Sequence, residues 1–410
     1  MRPLNVAVYY PWIYLHGGPE RTIAELLART GHRITVFTSR FEPDATFPSL
    51  RSAPIVELRR RVSVRRTFAD VGGAALRIAG EKLPLDGFDV LVVFCEGLGD
   101  FVTLRNSRIP TVCLCFTPLR AAYDPEYQRG YLAMKGNTPG RRLLLAAAKR
   151  VFRVVDRRLW TRYDHVIAIS AEVRKRIEAG GLFPKGGISI IHPGIDTGRL
   201  QPTWEYDPQF LIPGRIMWTK NLELAIDAYR LLRERRPDLA RFTLTLAGFV
   251  DEKSRPYLAA LQRRAAGCDG IRFVCGPSDE ELFSLCRRAW AVLYPPFNED
   301  WGLVPLEAMA LGKPIVASAR GGPLETIVDG ETGYLVPPAP GPFADAMERL
   351  ASDEGLVRRM GEAARQRALS FDWQLFCDGF DATVTNVAAR AERPAPAFVA
   401  ATNRSEGFAE

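Results

Sequence analysis

The chain has 410 residues, 47% of them hydrophobic, and 55 basic against 47 acidic residues give it a formal net charge of +8. This length predicts two to three domains, and this hydrophobic content is enough for two cores. The positive charge favours anionic ligands or an anionic membrane surface. It is modest for a nucleic-acid-binding protein of this size, so no nucleic acid is expected as a partner.

The cysteines and the N-terminal residues exclude further classes of protein. The seven cysteines are odd in number and show no CxxC or histidine spacing, which argues against a disulfide framework and against a zinc site. The first residues lead into a predicted strand rather than an apolar signal region, and no run of about 18 apolar residues occurs. We therefore expect a cytoplasmic protein.

Short apolar runs alternate with segments of helical periodicity along most of the chain. In the first half, predicted strands lie at residues 5–10, 33–38, 89–94, 111–115, 165–169 and 188–191. A second alternation gives predicted strands at residues 209–212, 242–247, 271–274, 291–294 and 315–317. Such alternation is typical of parallel sheets with crossover helices. We predict an α/β protein with two doubly wound, Rossmann-like domains that face a cleft.

Composition also predicts the limits of the domains. The predicted segments are an N-terminal domain (1–192), a linker that contains Pro202 (193–206), a C-terminal domain (207–370), a last amphipathic helix (371–391) and a tail (392–410). The tail shows no periodicity and is expected to be disordered. Gly194, at the junction of the domains, is expected to permit the backbone change that domain closure requires.

A glycine pair follows the first predicted strand. Gly17 and Gly18 allow bare backbone to approach a ligand at the start of a predicted helix. The preceding His16 is a candidate polar contact in the same cleft. An exposed loop histidine without a role explains it equally well.

Residues 141–162 are compatible with a helix that has an apolar and a basic face. The apolar positions are Leu144, Ala148, Val151, Val155 and Leu159, and the basic positions are Arg142, Lys149, Arg150, Arg153 and Arg157. In one interpretation the helix contacts anionic lipid headgroups or a phosphorylated, lipid-linked acceptor. In the other, the apolar face packs on the sheet and the charges are solvated. The preceding residues 116–139 are expected to form a long irregular loop.

Three segments of the second half carry candidate ligand-binding residues. Arg215 and Lys220 stand between a predicted strand and a predicted helix, where helix N–H groups favour an anion. Glu299 lies in a strand-end loop and Glu307 on the helix after it, at the edge of the sheet where α/β proteins bind ligands. The alternative interpretation is that these side chains are simply solvated. A glycine turn, Gly321–Gly322, follows the next predicted strand.

In this order and spacing, the three segments resemble the nucleotide-sugar site of the retaining glycosyltransferases of family four, which have the GT-B fold. The resemblance extends over roughly residues 2–389. It implies that Arg215 and Lys220 stabilise the leaving diphosphate and that Glu299 binds the donor sugar, so these three are the candidate catalytic residues. Glu307 would bind the ribose hydroxyls. The implied backbone contacts to the donor come from Gly17, Gly18, Gly302, Leu303, Val304, Gly321 and Gly322.

One segment departs from the family pattern. Many members, mannosyltransferases in particular, carry a His-Thr-Pro-x-Arg sequence where this chain has Phe116 to Arg120. In the family the histidine contacts the donor sugar, and Phe116 neither donates nor accepts that hydrogen bond. Three outcomes stay open: the sugar selectivity is altered, for example towards a deoxysugar; His16 or Arg120 substitutes; or activity is lost.

The resemblance implies a retaining enzyme that moves a hexose or deoxyhexose from a nucleoside-diphosphate sugar, with a leaning towards a GDP-mannose-like donor. The acceptor would be a glycan, a lipid-linked glycan or a small molecule. No cofactor is expected, and no metal either, because Arg215 and Lys220 would take the place of a divalent ion. Peripheral contact with an anionic membrane is a further expectation. Two alternatives are a nucleotide-sugar 2-epimerase and a catalytically weak nucleotide-sugar-binding subunit.

Overall fold

The computed structural model describes residues 2–62, 68–135 and 138–392. In this part of the chain the strands form two separate sheets, one of seven strands and one of six, in which neighbouring strands are parallel. The predicted α/β class with two parallel-sheet domains is therefore confirmed. None of the described helices is both long enough and apolar enough to cross a membrane.

The N-terminal domain is built on the seven-stranded sheet. Its elements are β1 (Asn5–Tyr9), α1 (Gly18–Arg29), β2 (Arg33–Thr38), β3 (Ile55–Glu57), α2 (Phe68–Ala79), β4 (Val90–Cys95), β5 (Thr111–Cys115), α3 (Arg120–Tyr123), α4 (Pro125–Lys135), α5 (Pro139–Trp160), β6 (His165–Ala168), α6 (Ala171–Gly180) and β7 (Ile188–Ile190). The strand order is β3-β2-β1-β4-β5-β6-β7. Strands β4 and β5 are buried along their whole length, which explains their continuous apolar sequence. The sequence pattern misses β3 because this edge strand is short and largely exposed.

The C-terminal domain is built on the six-stranded sheet. Its elements are β8 (Gln209–Pro213), α7 (Leu222–Arg235), β9 (Thr243–Gly248), α8 (Arg255–Ala265), β10 (Ile271–Cys275), α9 (Asp279–Arg288), β11 (Ala291–Tyr294), α10 (Leu303–Ala310), β12 (Ile315–Ser318), α11 (Pro323–Thr326), β13 (Gly333–Val336), α12 (Pro340–Ser352) and α13 (Glu354–Ala368). The strand order is β10-β9-β8-β11-β12-β13. The sequence pattern misses the edge strand β13, which has only four residues and begins with a glycine.

Residues 116–139 are not the long irregular loop that the sequence predicts. Helices α3 and α4 occupy most of this segment. Asp124 lies between them, and its carboxylate accepts hydrogen bonds from the backbone N–H groups of Glu126 (3.0 Å) and Tyr127 (3.2 Å), as an N-cap does. The same carboxylate accepts two hydrogen bonds from Arg120. Polar contacts rather than an apolar stripe organise these helices, so hydrophobic periodicity does not reveal them.

Helix α5 faces the opposite way from the sheet-packed interpretation of its sequence. Leu144, Val151 and Val155 point into solvent, and Val151 keeps 66% of its surface exposed. On the inward side the guanidinium of Arg153 donates to the carbonyl oxygen of Ala122 at 2.7 Å. The interpretation in which the apolar face packs on the sheet is therefore wrong for these three residues. Packing there depends on polar and aromatic side chains, and Leu159 is the predicted apolar position that is buried.

The chain crosses between the domains twice, and the two crossing segments touch. The N–H of Ile195 in the first crossing donates to the carbonyl oxygen of Phe371 in the second at 2.9 Å. A Cβ added to Gly194 would lie 2.2 Å from the carbonyl carbon of Asp372, so glycine is required here for close approach of two backbones. After the second crossing, helix α14 (Trp373–Glu392) returns to the N-terminal domain.

Helix α14 is anchored on α1 and the loop after it. The carboxylate of Asp381 accepts hydrogen bonds from the hydroxyl of Thr30 (2.5 Å) and the N–H of Gly31 (2.8 Å). Phe376 and Phe380 on the same helix are buried in the N-terminal core. Glu392 ends the helix, and residues 393–410 of the predicted tail lie outside the described residues.

The contact at Gly194 predicts the effect of a small substitution. Gly194→Ala should lower the free energy of unfolding by about 1 to 3 kcal/mol, because the new methyl group must displace the backbone of the second crossing. Thermal unfolding checks this against Gly140→Ala in α5, where an added Cβ meets no atom within 4 Å. Equal melting temperatures for both variants and the wild type would contradict the proposed close contact.

Candidate active site

Three loops meet at one edge of the C-terminal sheet. They follow β8, β11 and β12, which are neighbours in the sheet, so their carboxyl ends lie side by side. Direct contacts join the loops: the N–H of Phe297 donates to the carbonyl oxygen of Thr219 at 3.3 Å, and the N–H of Gly322 donates to that of Glu299 at 2.9 Å. The sheet topology therefore brings together the three sequence segments that predicted a site.

An ion pair lies at the centre of this edge. The ammonium of Lys220 is 2.6 Å from a carboxylate oxygen of Glu299, and the hydroxyl of Tyr294 donates to the same oxygen at 2.7 Å. Burial opposes ionisation of Glu299, but the charge and hydrogen bond of Lys220 and the hydrogen bond of Tyr294 outweigh it and lower its pKa to about 2. Glu299 is therefore an anion and a hydrogen-bond acceptor at neutral pH. Sequence reasoning missed Tyr294 because it ends a buried strand.

The glycine turn supports the loop that carries Glu299. Gly321 has a φ of 64°, in the left-handed region, and a Cβ added to it would lie 2.2 Å from the carbonyl oxygen of Glu299. On the other side of the loop, Gly302 precedes helix α10, so the N–H groups of Leu303 and Val304 belong to the helix N-terminus. The structure gives these glycines a role in packing the loop, and their contact with a donor stays a prediction.

Glu307 lies beside a narrow cavity between the domains. The cavity is lined by Arg21, Gly194, Ile195, Asp196, Arg199, Leu200, Phe283, Leu303, Glu307 and Trp373. Burial raises the pKa of Glu307 to about 7, although the positive charges of Arg21 and Arg199 act in the opposite direction. Glu307 therefore has an electrostatic character different from that of Glu299, eight positions before it.

Arg215 is exposed and faces the N-terminal domain. Across the cleft, burial and the nearby carboxylate of Glu96 raise the pKa of Glu20 to about 8, while the charge of Arg215 partly opposes this rise. Glu20 belongs to α1, two positions after Gly18, with which the helix begins. The predicted glycine loop and Arg215 therefore lie on facing sides of the cleft.

The three predicted selectivity residues lie in different surroundings. Arg120 reaches across the domains, where its guanidinium donates to the carbonyl oxygen of Asn298 at 2.7 Å. His16 is exposed and stacks on Phe47 of its own domain, with 4.7 Å between the ring centroids. Phe116 is 6% exposed and packs in the N-terminal core. The structure thus brings Arg120 to the Glu299 loop, and the roles of His16 and Phe116 stay predictions.

Sequence reasoning also missed Arg176, a buried cation in α6. Its guanidinium donates to the carboxylate of Asp300, the residue next to Glu299 in the opposite domain. No local motif marks Arg176, because its partner Asp300 lies 124 positions away in the sequence. Its one sequence signal is an arginine on the buried side of a helix, which predicts a paired charge.

Two facing parallel-sheet α/β domains are the architecture of the GT-B class of glycosyltransferases, and solved structures share this fold. Sucrose-phosphate synthase from Thermosynechococcus elongatus superposes with a TM-score of 0.71 at 20% identity, over 94% of this chain and 100% of that chain. Anabaena HepE in complex with UDP-glucose gives a TM-score of 0.68 at 16% identity, over 93% of this chain and 100% of that chain.

Sequence comparison identifies the family. The family model described as Glycosyltransferase Family 4 matches residues 17–199, and that described as Glycosyl transferases group 1 matches residues 200–367. The chain therefore belongs to the group 1, family 4 glycosyltransferases. It is 24% identical to an alpha-1,3/1,6-mannosyltransferase of Rhizomucor pusillus, over 93% of this chain and 91% of that protein. It is 29% identical to a D-inositol 3-phosphate glycosyltransferase of Corynebacterium aurimucosum, over 85% of this chain and 86% of that protein.

The raised pKa of Glu307 predicts a pH-dependent stability. Its folded-state pKa of about 7 lies above the value of about 4.3 for an unfolded glutamate, so its contribution to stability is present below the lower value and is lost as the pH rises through 7. Glu307→Gln should therefore raise the melting temperature much more at pH 8 than at pH 5. Thermal unfolding without nucleotide tests this, with the exposed Glu331→Gln as control. An equal shift at both pH values would contradict the assignment.

Proposed function

We propose that this glycosyltransferase is a retaining enzyme that transfers a hexose or deoxyhexose from a nucleoside-diphosphate sugar. The observation that carries the proposal is the Lys220–Glu299 pair, beside the N-terminus of α10 and opposite the glycine loop of the N-terminal domain. A cation for a leaving diphosphate and a carboxylate that is ionised at neutral pH, for sugar hydroxyls, stand next to each other there. This placement suits a donor that has both groups.

The proposed roles follow from the charges of these groups. As the bond between the sugar C1 and the phosphate oxygen breaks, negative charge develops on the diphosphate, and Lys220, Arg215 and the N–H groups at the start of α10 would stabilise it. Glu299 would accept hydrogen bonds from the sugar. The acceptor oxygen then bonds to C1 on the same face, and its proton passes to the departing phosphate oxygen. With two cations at the diphosphate, the proposed reaction requires no divalent metal.

The relatives support a nucleotide-sugar donor but differ in what their names specify. One is named a mannosyltransferase, another a D-inositol 3-phosphate glycosyltransferase, and the solved HepE complex contains UDP-glucose. The GDP-mannose-like donor is therefore the finer part of the proposal. The family assignment favours transfer over 2-epimerisation, and product analysis in the absence of acceptor separates the two reactions.

The cations of the site give the direct test of this function. Lys220→Ala and Arg215→Ala should each lower kcat/KM at least about a hundredfold, because each removes one charge that stabilises the departing diphosphate. Lys82→Ala, at an exposed position of the N-terminal domain, is the control for a lost lysine. Transfer is measured by product formation with a panel of GDP-, UDP-, ADP- and dTDP-sugars. Wild-type rates in both site variants would refute the proposed site.

The proposal includes an acceptor at an anionic membrane surface, which helix α5 would contact. Its outward side is apolar: Leu143, Leu144, Ala147, Val151 and Val154 are all exposed. Arg142, Arg150 and Arg158 are exposed on the same helix. Because exposed apolar clusters are costly in water, this arrangement favours an interfacial helix that lies in the membrane plane, with its arginines at the headgroups. The surface that α5 would contact is the anionic inner face of the membrane.

Vesicle binding tests the role of α5. The protein should sediment with anionic vesicles and not with neutral ones, and binding should weaken with salt, since each basic side chain near the surface contributes about 1 kcal/mol. Leu144→Ser combined with Val151→Ser should reduce binding severalfold by removing apolar contact. Leu375→Ser, which removes an exposed leucine from α14, is the control. Sedimentation with neither vesicle type, or equally with both, would count against the proposal.

A further inference from the structure

We propose that Arg176 is a positioning residue that holds the Glu299 loop in its working geometry from the opposite domain. The inference rests on the proposed function, because it assigns to Glu299 the contact with the donor sugar. It adds a residue that the sequence motifs of the site do not contain.

Arg176 is buried between the two domains. Its side chain is 4% exposed and extends from α6 in the N-terminal domain. One nitrogen, Nη1, donates both to the carboxylate of Asp300 in the C-terminal domain and to the hydroxyl of Thr117 at 2.7 Å. The other terminal nitrogen donates to the carboxylate of Glu172 at 3.3 Å. The planar guanidinium therefore joins the residue after Glu299 to the strand-end loop that follows β5.

The residue before Glu299 is also held by an arginine of the N-terminal domain. The guanidinium of Arg120 donates to the carbonyl oxygen of Asn298 at 2.7 Å, while its own orientation is fixed by Asp124. Both neighbours of Glu299 thus bind arginines of the N-terminal domain. The side chain of Glu299 itself binds Lys220 and Tyr294 of the C-terminal domain.

Helix α6, which carries Arg176, is itself fixed by the C-terminal domain. The carboxylate of Glu325 accepts hydrogen bonds from the first N–H groups of the helix, at Ala171 (2.8 Å) and Glu172 (3.2 Å). The hydroxyl of Ser170 donates to the carbonyl oxygen of Asp300 at 2.5 Å. An acidic side chain at a helix N-terminus is favourable, so Glu325 of the C-terminal domain caps α6 of the N-terminal domain.

These contacts have a consequence for catalysis. They can form only when the domains are together, and they fix the backbone on both sides of Glu299. The proposed diphosphate contacts, Lys220, Arg215 and α10, lie wholly within the C-terminal domain. Weakening the contacts of Arg176 should therefore disturb the placement of the sugar, and a displacement of about 1 Å at a reacting group costs up to a hundredfold in rate. Binding of a free nucleoside diphosphate should stay intact, because these proposed contacts lie within one domain.

Three variants test the proposal. Arg176→Lys keeps the charge but loses the two-nitrogen geometry, Asp300→Asn removes its partner's charge, and the third variant combines both. The matched control is Arg174→Lys, on the same helix, where the arginine is 47% exposed and pairs with Glu178. The measurements are kcat and KM for the donor, the thermal stabilisation by GDP and UDP, the melting temperature and the radius of gyration from small-angle X-ray scattering.

We expect kcat to fall about tenfold to a hundredfold in each single variant. Because the two residues act as a pair, kcat of the double variant should be no lower than kcat of the less active single variant. Stabilisation by the nucleoside diphosphate should stay at the wild-type level, and the radius of gyration should increase. Arg174→Lys should match the wild type in all measurements.

Several outcomes would overturn the proposal. They are wild-type kcat in Arg176→Lys, additive effects in the double variant, loss of nucleotide binding in step with kcat, or an unchanged radius of gyration. If the wild type itself transfers no sugar from any donor tested, the proposed function fails. The scattering measurement then decides separately whether Arg176 holds the two domains together.

Discussion

The parallel arrangement of β8, β11 and β12 is the constraint on which the site depends. Because neighbouring parallel strands end at the same edge, loops that are almost 80 residues apart in sequence meet there, and Lys220 reaches Glu299. Once paired, the two charges are stable in a partly buried place that neither would occupy alone. The glycine turn after β12 then supports the loop from behind.

Two carboxylates on one loop and helix illustrate how the surroundings divide chemical roles. Glu299 has a cation and a hydroxyl within hydrogen-bond distance and stays ionised. Among the described residues, Glu307 has no such close partner, and burial raises its pKa to about 7. The same residue type, eight positions apart, therefore acts as a fixed anion in one place and as a proton-sensitive group in the other.

The sequence predicted the parts of the structure whose signals are local. Buried strands such as β4 and β5 are apolar runs, and α7 is a regular amphipathic helix, so both kinds of element were predicted closely. The motif segments around Lys220 and Glu299 were predicted because the residues that form each motif are close together in the sequence. Helices α3 and α4 were missed because Asp124 and Arg120 organise them through polar contacts. Arg176 was missed because its partner Asp300 is 124 positions away, and no local pattern can indicate such a pair.

Because the chain crosses between the domains a second time, the N-terminal domain depends on a helix that follows the C-terminal domain in the sequence. Helix α14 supplies buried side chains such as Phe376 and Phe380 to the core of the N-terminal domain, so that domain is discontinuous and the C-terminal domain is an insertion within it. During synthesis on a ribosome, the core of the N-terminal domain could not be completed until nearly the whole polypeptide had emerged. Until then, the surface that α14 covers would be exposed. The C-terminal domain would complete its own sheet earlier. The half that is made first is thus the half that matures last.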